Sequence, residues 1–223
     1  VLWLLVFGQV FTRTHAIPTG DVPYLDFMAP SILAQSVLFV AIFSGIAVIW
    51  ERDLGIIHKF LASPTPRSAL VFGKALAAGV RSLAQAVLIY VLALLLGVRM
   101  NWNVLALAGV LCIAFLGAAL FSTFSLVIAC LVKMCERFMG IGQVLTMPLF
   151  FASNAIYPIA IMPGWLQVIS HANPLTYEVD ALRALMLAGV EITYGVGLDL
   201  GVLLLATSAL VLLGGRLYPN VVQ

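Results

Sequence analysis

The sequence predicts an all-α fold, a polytopic bundle of transmembrane helices, on three observations. Of its 223 residues, 63% are hydrophobic and only 9% charged, whereas a soluble domain carries about a quarter charged residues. Apolar runs long enough to cross a bilayer, about 20 residues each, recur along the chain. Lys and Arg gather on one side of those runs. A soluble fold of this composition would display its apolar surface to water and aggregate, so membrane lipid is the partner it demands. The net charge of +2 comes with no basic stripe, which speaks against a nucleic-acid partner. Residues 1–223 read as a single transmembrane domain.

Val1–Phe11 is apolar but short, and lacks the basic start and small-residue cleavage site of a signal peptide. It reads as the outer end of a span that begins before residue 1, which makes six spans in the full protein. Pro30–Trp50 is uncharged and crosses. Ala75–Val98 crosses with one interior charge, Arg81, and Val104–Val132 crosses with none. Phe138–Ile161 is predicted as a further crossing with Pro148 and Pro158 inside it, and Leu198–Leu213 is the last.

With the 50–69 connection in the cytoplasm, Arg52, Lys59, Arg67, Lys74, Arg81, Lys133, Arg137 and Arg216 fall at the inner side. Only Arg13, Arg99 and Arg183 fall at the outer side, with Asp21, Asp26, Glu178, Asp180, Glu191 and Asp199. That is the positive-inside pattern.

In the 50–74 connection, WERDLGIIHKFLASPTPRSALVFGK, Leu54, Ile57, Phe60 and Leu61 recur at helical spacing. Ser63-Pro64-Thr65-Pro66 then turns the chain. Pattern alone predicts a short amphipathic helix on the inner membrane face, and on that ground a plain interfacial linker.

The same residues resemble the type-2 ABC transporter permeases, the membrane subunits of many bacterial exporters. Glu51, Asp53, Gly55, Leu61, Pro64, Arg67, Gly73 and Lys74 follow the family's running pattern. So do Pro148, Ser153, Tyr157-Pro158, Pro163, Trp165-Leu166, Asn173-Pro174 and Arg183 in MPLFFASNAIYPIAIMPGWLQ and NPLTYEVDALRALML. The chain departs from it at Ile56-Ile57-His58-Lys59, where another acid is common, and at Asn154, where Gly is common. The resemblance implies that Glu51–Leu61 is a coupling helix seated in a groove of a separate ABC ATPase subunit. Glu51, Arg52, Asp53, Gly55, His58, Lys59 and Leu61 would make that contact. It also implies a second permease copy, as a homodimer or heterodimer, and a place in the bacterial cytoplasmic membrane. ATP and Mg would be bound by the partner and no cofactor by this chain.

Beyond residue 158, Trp165, Val168 and Ile169, and then Leu175, Val179, Leu182 and Met186, predict two short helices broken by Asn173-Pro174. Interfacial anchoring by Trp165 and Tyr177 accounts for them from pattern alone. The resemblance implies helices that dip into the outer leaflet and cap an exit path. Asp180 and Arg183, three apart, are spaced to pair. Phe39 and Phe43 form an i, i+4 aromatic pair that reads first as core packing. With Asn154 and Tyr157 they are the candidate substrate-path residues.

Lys74, Arg81 and Gln85 share a helix face, and snorkelling is the simpler account of the two cations. No acid lies between Asp53 and Glu136, which argues against a proton-coupled carrier. Phe72-Gly73-Lys74 lacks the first Gly and the Ser/Thr of a P-loop, and Gly142 stands in a fragment without a full dinucleotide fingerprint. His15, His58 and His171 lack metal-ligand spacing, and Ser170-His171 is adjacency, not a triad. Cys112, Cys130 and Cys135 read as packing residues, and Gly197-x-x-x-Gly201 is a common small-residue match. Residues and resemblance together predict an ATP-driven exporter permease for a hydrophobic or amphiphilic drug or lipid, with no catalytic site. Polysaccharide export, or a carrier or scaffold without an ATPase, are the alternatives.

Overall fold

The computed structural model describes residues 23–57, 66–132, 134–187 and 193–218. Among them the chain is helical apart from turns and one isolated bridge between Met100 and Leu187. The helices are α1 (Tyr24–Phe43), α2 (Gly45–Asp53), α3 (Arg67–Leu95), α4 (Val104–Leu131), α5 (Cys135–Phe151), α6 (Gly164–Ala172), α7 (Pro174–Met186) and α8 (Val196–Leu217), with one 3-10 turn at Ile159–Ile161. Val1–Phe11, His58, Lys59, Phe60, Leu61 and Glu191 lie outside the described residues.

Among the described residues, four helical stretches are long and apolar enough to cross a membrane: Tyr24–Asp53, Ser68–Leu95, Val104–Leu131 and Val196–Leu217. The first therefore starts earlier than its apolar run suggests and carries Asp26 within it. The predicted continuous crossing at Phe138–Ile161 is not formed. α5 stops at Phe151 after 17 residues, about 25 Å of helix, and the chain turns through 152–158. Pro148 contributes to this ending, because it cannot donate to the helical ladder.

α4 is the hub, packing against α3, α8, α1 and α7. Its apolar residues run all round it, and most of Ala114–Cys130 is buried. Gly79 lets α3 approach, since a Cβ there would stand 2.5 Å from the Phe115 ring. α3 ends in a Schellman motif: Gly97, at φ 74°, donates to Leu94 O and Val98 donates to Ala93 O. Two apolar cores result. The larger runs from α1 through α4 to α7 and includes Leu33, Phe121, Phe150 and Leu182. The smaller lies at the α2 end, around Val48, Ile49, Ile57, Leu126, Phe138 and Tyr218.

Candidate functional site

The candidate site begins with a break in the first span. FVAIFSGIAV places a Ser-Gly pair inside an apolar helix, a sequence prone to interruption. Ser44 folds back, its amide donating to Val40 O and Ala41 O and its hydroxyl to Ala41 O. The regular hydrogen-bond ladder shifts here, with the cap amides donating to Val40 O, Ala41 O and Ile42 O. Ser125 of α4 braces this point: its hydroxyl accepts from Gly45 N at 3.1 Å and donates to Ile42 O. Ser122 reaches the Ser44 hydroxyl at 2.9 Å. Irregular backbone at membrane depth needs such substitutes, because lipid offers none. Only glycine fits at 45, where a Cβ would lie 2.4 Å from Ser125 Oγ and 2.5 Å from the Phe138 ring.

From this break α2 runs unbroken to Asp53, so Glu51, Arg52 and Asp53 are the end of the spanning helix and not part of a separate one. The chain turns at Leu54-Gly55, where Gly55 adopts φ 70°, a region costly for residues with a Cβ. Ile56 and Ile57 are helical again. Ile57 is fully buried in the smaller core while Leu54 is 74% exposed, so Leu54 does not belong to the predicted apolar stripe. Glu51 pairs with Lys74 across to α3 at 2.5 Å, with both side chains about a quarter exposed. Asp53 projects outward and pairs with its neighbour Arg52 at 2.8 Å. Of the predicted contact residues, Asp53 thus presents charge while Glu51 is engaged within the bundle. Phe72-Gly73-Lys74 lies inside the 29-residue α3, where its backbone cannot form a phosphate loop.

The opposite end is built differently. Asn173 caps α7 by accepting from Leu175 N at 3.0 Å and donates to Leu149 O, one of the carbonyls orphaned at the end of α5, at 2.7 Å. Pro174 starts α7 where its missing donor costs nothing. Leu175, Val179, Leu182 and Met186 are fully buried, as their spacing predicts. The α6 stripe faces the other way: Trp165 is 67% and Val168 69% exposed, an outward face suited to lipid.

Asp26, Glu178, Asp180 and Asp199, which the sequence places merely at the outer side, are all buried. Asp180 and Arg183 do not pair. Asp180 accepts from the amides of Thr193 and Tyr194 at 3.1 Å each. Arg183 stretches across the bundle to Asn154 O at 2.9 Å and Ser31 Oγ at 3.2 Å, its guanidinium 3.7 Å above the Phe27 ring. Burial lowers the Arg183 pKa to about 10, and the nearby Asp180 carboxylate opposes that shift. Glu178, on α7 and outside the four spanning helices, is fully buried with both carboxyl oxygens unpartnered. Burial pushes its pKa well above the usual carboxylate range. It fits only because position 117 of α4 is Gly, where a Cβ would stand 2.2 Å from Glu178 Oε1.

The candidate substrate-path residues are dispersed. Phe39 and Phe43 form the predicted ring pair, 5.3 Å between centroids. Asn154 is buried, its side-chain amide without partners. Tyr157 donates to Phe151 O and lines an apolar cavity of about 610 Å³ between α5 and α6. That cavity takes in Trp165 and Asn173 but not Phe39, Phe43 or Asn154. Sequence reasoning passed over Ser44, Ser122, Ser125, Gly117 and Glu178. The Ser-Gly pair alone left a readable signal.

A membrane bundle with a braced break beside a glycine turn, and short capped helices at its other end, has the build of a transport permease subunit. The chain belongs to the ABC-2 type transporter family, which it matches over residues 1–187. It is 31% identical over 187 residues to the putative transport permease ycf38 of Cyanophora paradoxa, covering 83% of this chain and 64% of that one. It is 28% identical over 220 residues to the daunorubicin resistance ABC transporter permease protein DrrB1 of Streptomyces coeruleorubidus, covering 99% of this chain and 77% of the relative. The probable multidrug ABC transporter permease YbhR of Escherichia coli is 26% identical over 187 residues, 81% of this chain and 48% of that one. The chain therefore spans only part of the length of these relatives.

Proposed function

We propose that this chain is the membrane subunit of an ATP-driven exporter in the bacterial cytoplasmic membrane. It pairs with a second permease copy and with two separate ABC ATPase subunits, which bind ATP and Mg. A hydrophobic or amphiphilic drug or lipid is moved outward. The names of DrrB1 and YbhR support the drug reading over polysaccharide export.

The observation that carries the mechanism is the rigid helix between the Ser44-Gly45 break and the Gly55 turn. A push on the turn tilts α2 about the break as a unit, a rigid-body transition that needs no chemistry in this chain. Glu51–Lys74 ties α2 to α3, so both spans follow. Asp53, exposed beside the turn, sets register with the ATPase groove.

The test is co-expression of the tagged permease with its candidate ATPase. The ATPase is expected to copurify and to be stimulated by the permease, and Asp53→Lys to release it or abolish the stimulation. If no ATPase copurifies and the reversal changes nothing, a stand-alone carrier or scaffold becomes the better account.

A further inference from the structure

Beneath the break in the first span lies a cavity of about 350 Å³, enclosed by α2, α3, α4 and the end of α8. Ser44, Glu51, Lys74, Arg81, Ser122 and Tyr218 supply its polar wall. Two cations, Lys74 and Arg81, face one carboxylate in that wall. Glu51 receives Lys74, and the Ser44 and Ser122 hydroxyls bond to each other.

Two donors are left over. Arg81 sits seven residues beyond Lys74 on α3, about 10 Å deeper, and has no hydrogen-bond or ion-pair partner among the described residues. Tyr218 is fully buried and its hydroxyl is unpartnered. A guanidinium carries five donors and no acceptor, and at membrane depth it is disfavoured without a counter-charge. The wall carries one more cation than carboxylate, a balance that favours an anion.

Its surroundings say how that anion arrives. Arg81 is exposed on α3, with the exposed Leu88 two turns further along the same face and Val80 and Val87 exposed beside it on the helix. An anion reaching Arg81 from this side comes through lipid, with apolar chains to lay against those residues.

We propose that this cavity seats the headgroup of a phospholipid of net negative charge, held by Arg81 with the Tyr218 hydroxyl beside it. The Glu51–Lys74 pair stands at the mouth and keeps Lys74 from drawing the headgroup outward. Because Ser44, Gly45 and Glu51 are part of the wall, an occupied seat props the break and ties its motion to the lipid around it. This inference does not rest on the transport reading, since a resident lipid binds an idle permease as well.

Native mass spectrometry of the full-length permease in mild detergent tests it. The probes are phosphatidylglycerol, phosphatidylcholine with the same chains, and inorganic phosphate. Phosphatidylglycerol is expected to be retained about tenfold more strongly than phosphatidylcholine, the scale of one charge-assisted pair. Arg81→Gln should erase that preference and Arg81→Lys recover most of it. Tyr218→Phe should weaken retention about threefold, the loss of one hydrogen bond. Arg137→Gln, at an exposed cation near the same end, should leave it unchanged. Equal binding of the two lipids, or a preference that survives Arg81→Gln, overturns the proposal. Inorganic phosphate that binds while phosphatidylglycerol does not would replace the lipid with a free anion. Should Arg81→Gln fail to fold, Arg81→Lys and Tyr218→Phe still decide the matter.

Discussion

The two ends of this bundle solve the same problem, polar groups inside an apolar solvent, in opposite ways. At the α7 end the polar groups are locked away: Glu178 is sealed against Gly117, Asp180 is tied to the 193–194 amides, and Arg183 bridges three elements. At the α2 end they border a cavity, and a broken helix is patched by serines instead of being repaired. The first arrangement resists motion, because every shift exposes a buried charge or creates an overlap. The second permits it, because a hydroxyl can exchange partners at low cost. The proposed push on the α2 end would use that asymmetry, with a stiff frame at one end and a compliant joint at the other.

The largest effect should follow from filling the space at 117. Gly117→Val places carbon where the Glu178 carboxyl sits, and neither α4 nor α7 has room to yield. A loss of about 3 kcal/mol or more is expected, the upper end of overpacking, seen as loss of folded protein in a detergent melt. Glu178→Ala in the same chain should recover part of it. A Gly117→Val protein as stable as the parent would show that the α7 end is not stiff.

Next comes the joint itself. Ser125→Ala removes the hydroxyl that bonds both the Gly45 amide and the Ile42 carbonyl, which costs about 1–3 kcal/mol. Stability should fall by that amount, and hydrogen exchange at 42–46 should rise. If exchange rises throughout α1 instead, the break is not a local joint and the comparison between the two ends loses its basis.

Much of this architecture could be read before the fold was known. Long apolar runs gave α1, α3, α4 and α8, and the 3.6-residue spacing of Leu175, Val179, Leu182 and Met186 gave the buried face of α7. What escaped depends on encounters between distant residues. Nothing near Gly117 announces a carboxyl sixty-one positions later, and Ser125 gives no local sign that it patches a helix eighty residues earlier. The end of α5 escaped for another reason. Hydropathy continues across 152–161, so the run looks like helix, yet an Asn173 side chain waits for the carbonyl freed where the helix stops. Asp180 and Arg183 were spaced to pair, but each found a stronger set of partners on other elements.

Glu178 sharpens the contrast through pH. Its ordinary value is 4.5, and burial holds it well above that in the folded protein. The folded state therefore keeps a proton that the unfolded state releases. The stabilisation from this group is fully present below the ordinary carboxylate range and is lost as pH rises through the window up to the raised folded value. A slope of at most about 1.4 kcal/mol per pH unit is expected, the limit for one proton. Glu178→Gln carries no proton to release, so its melting temperature should vary less between pH 5 and pH 8, within about that limit. Identical pH profiles would mean that Glu178 is ionised in the fold and has partners.

The smallest expected effect lies at the drive end, in the Glu51–Lys74 pair. Both side chains keep about a quarter of their exposure, so solvent screens the attraction and a double-mutant cycle should return a coupling of about 0.5–1 kcal/mol. The cycle compares Glu51→Gln, Lys74→Met and the double variant. Motion should respond more than stability does. Without the tie, α2 can tilt while α3 stays behind, so ATPase stimulation by the permease should fall although the melt barely moves. A coupling well above that range would mean the pair is a structural clamp and that the α2 end is as rigid as the other. A small coupling with unchanged stimulation would leave the break compliant but remove α3 from the linkage, confining the drive to α2 alone.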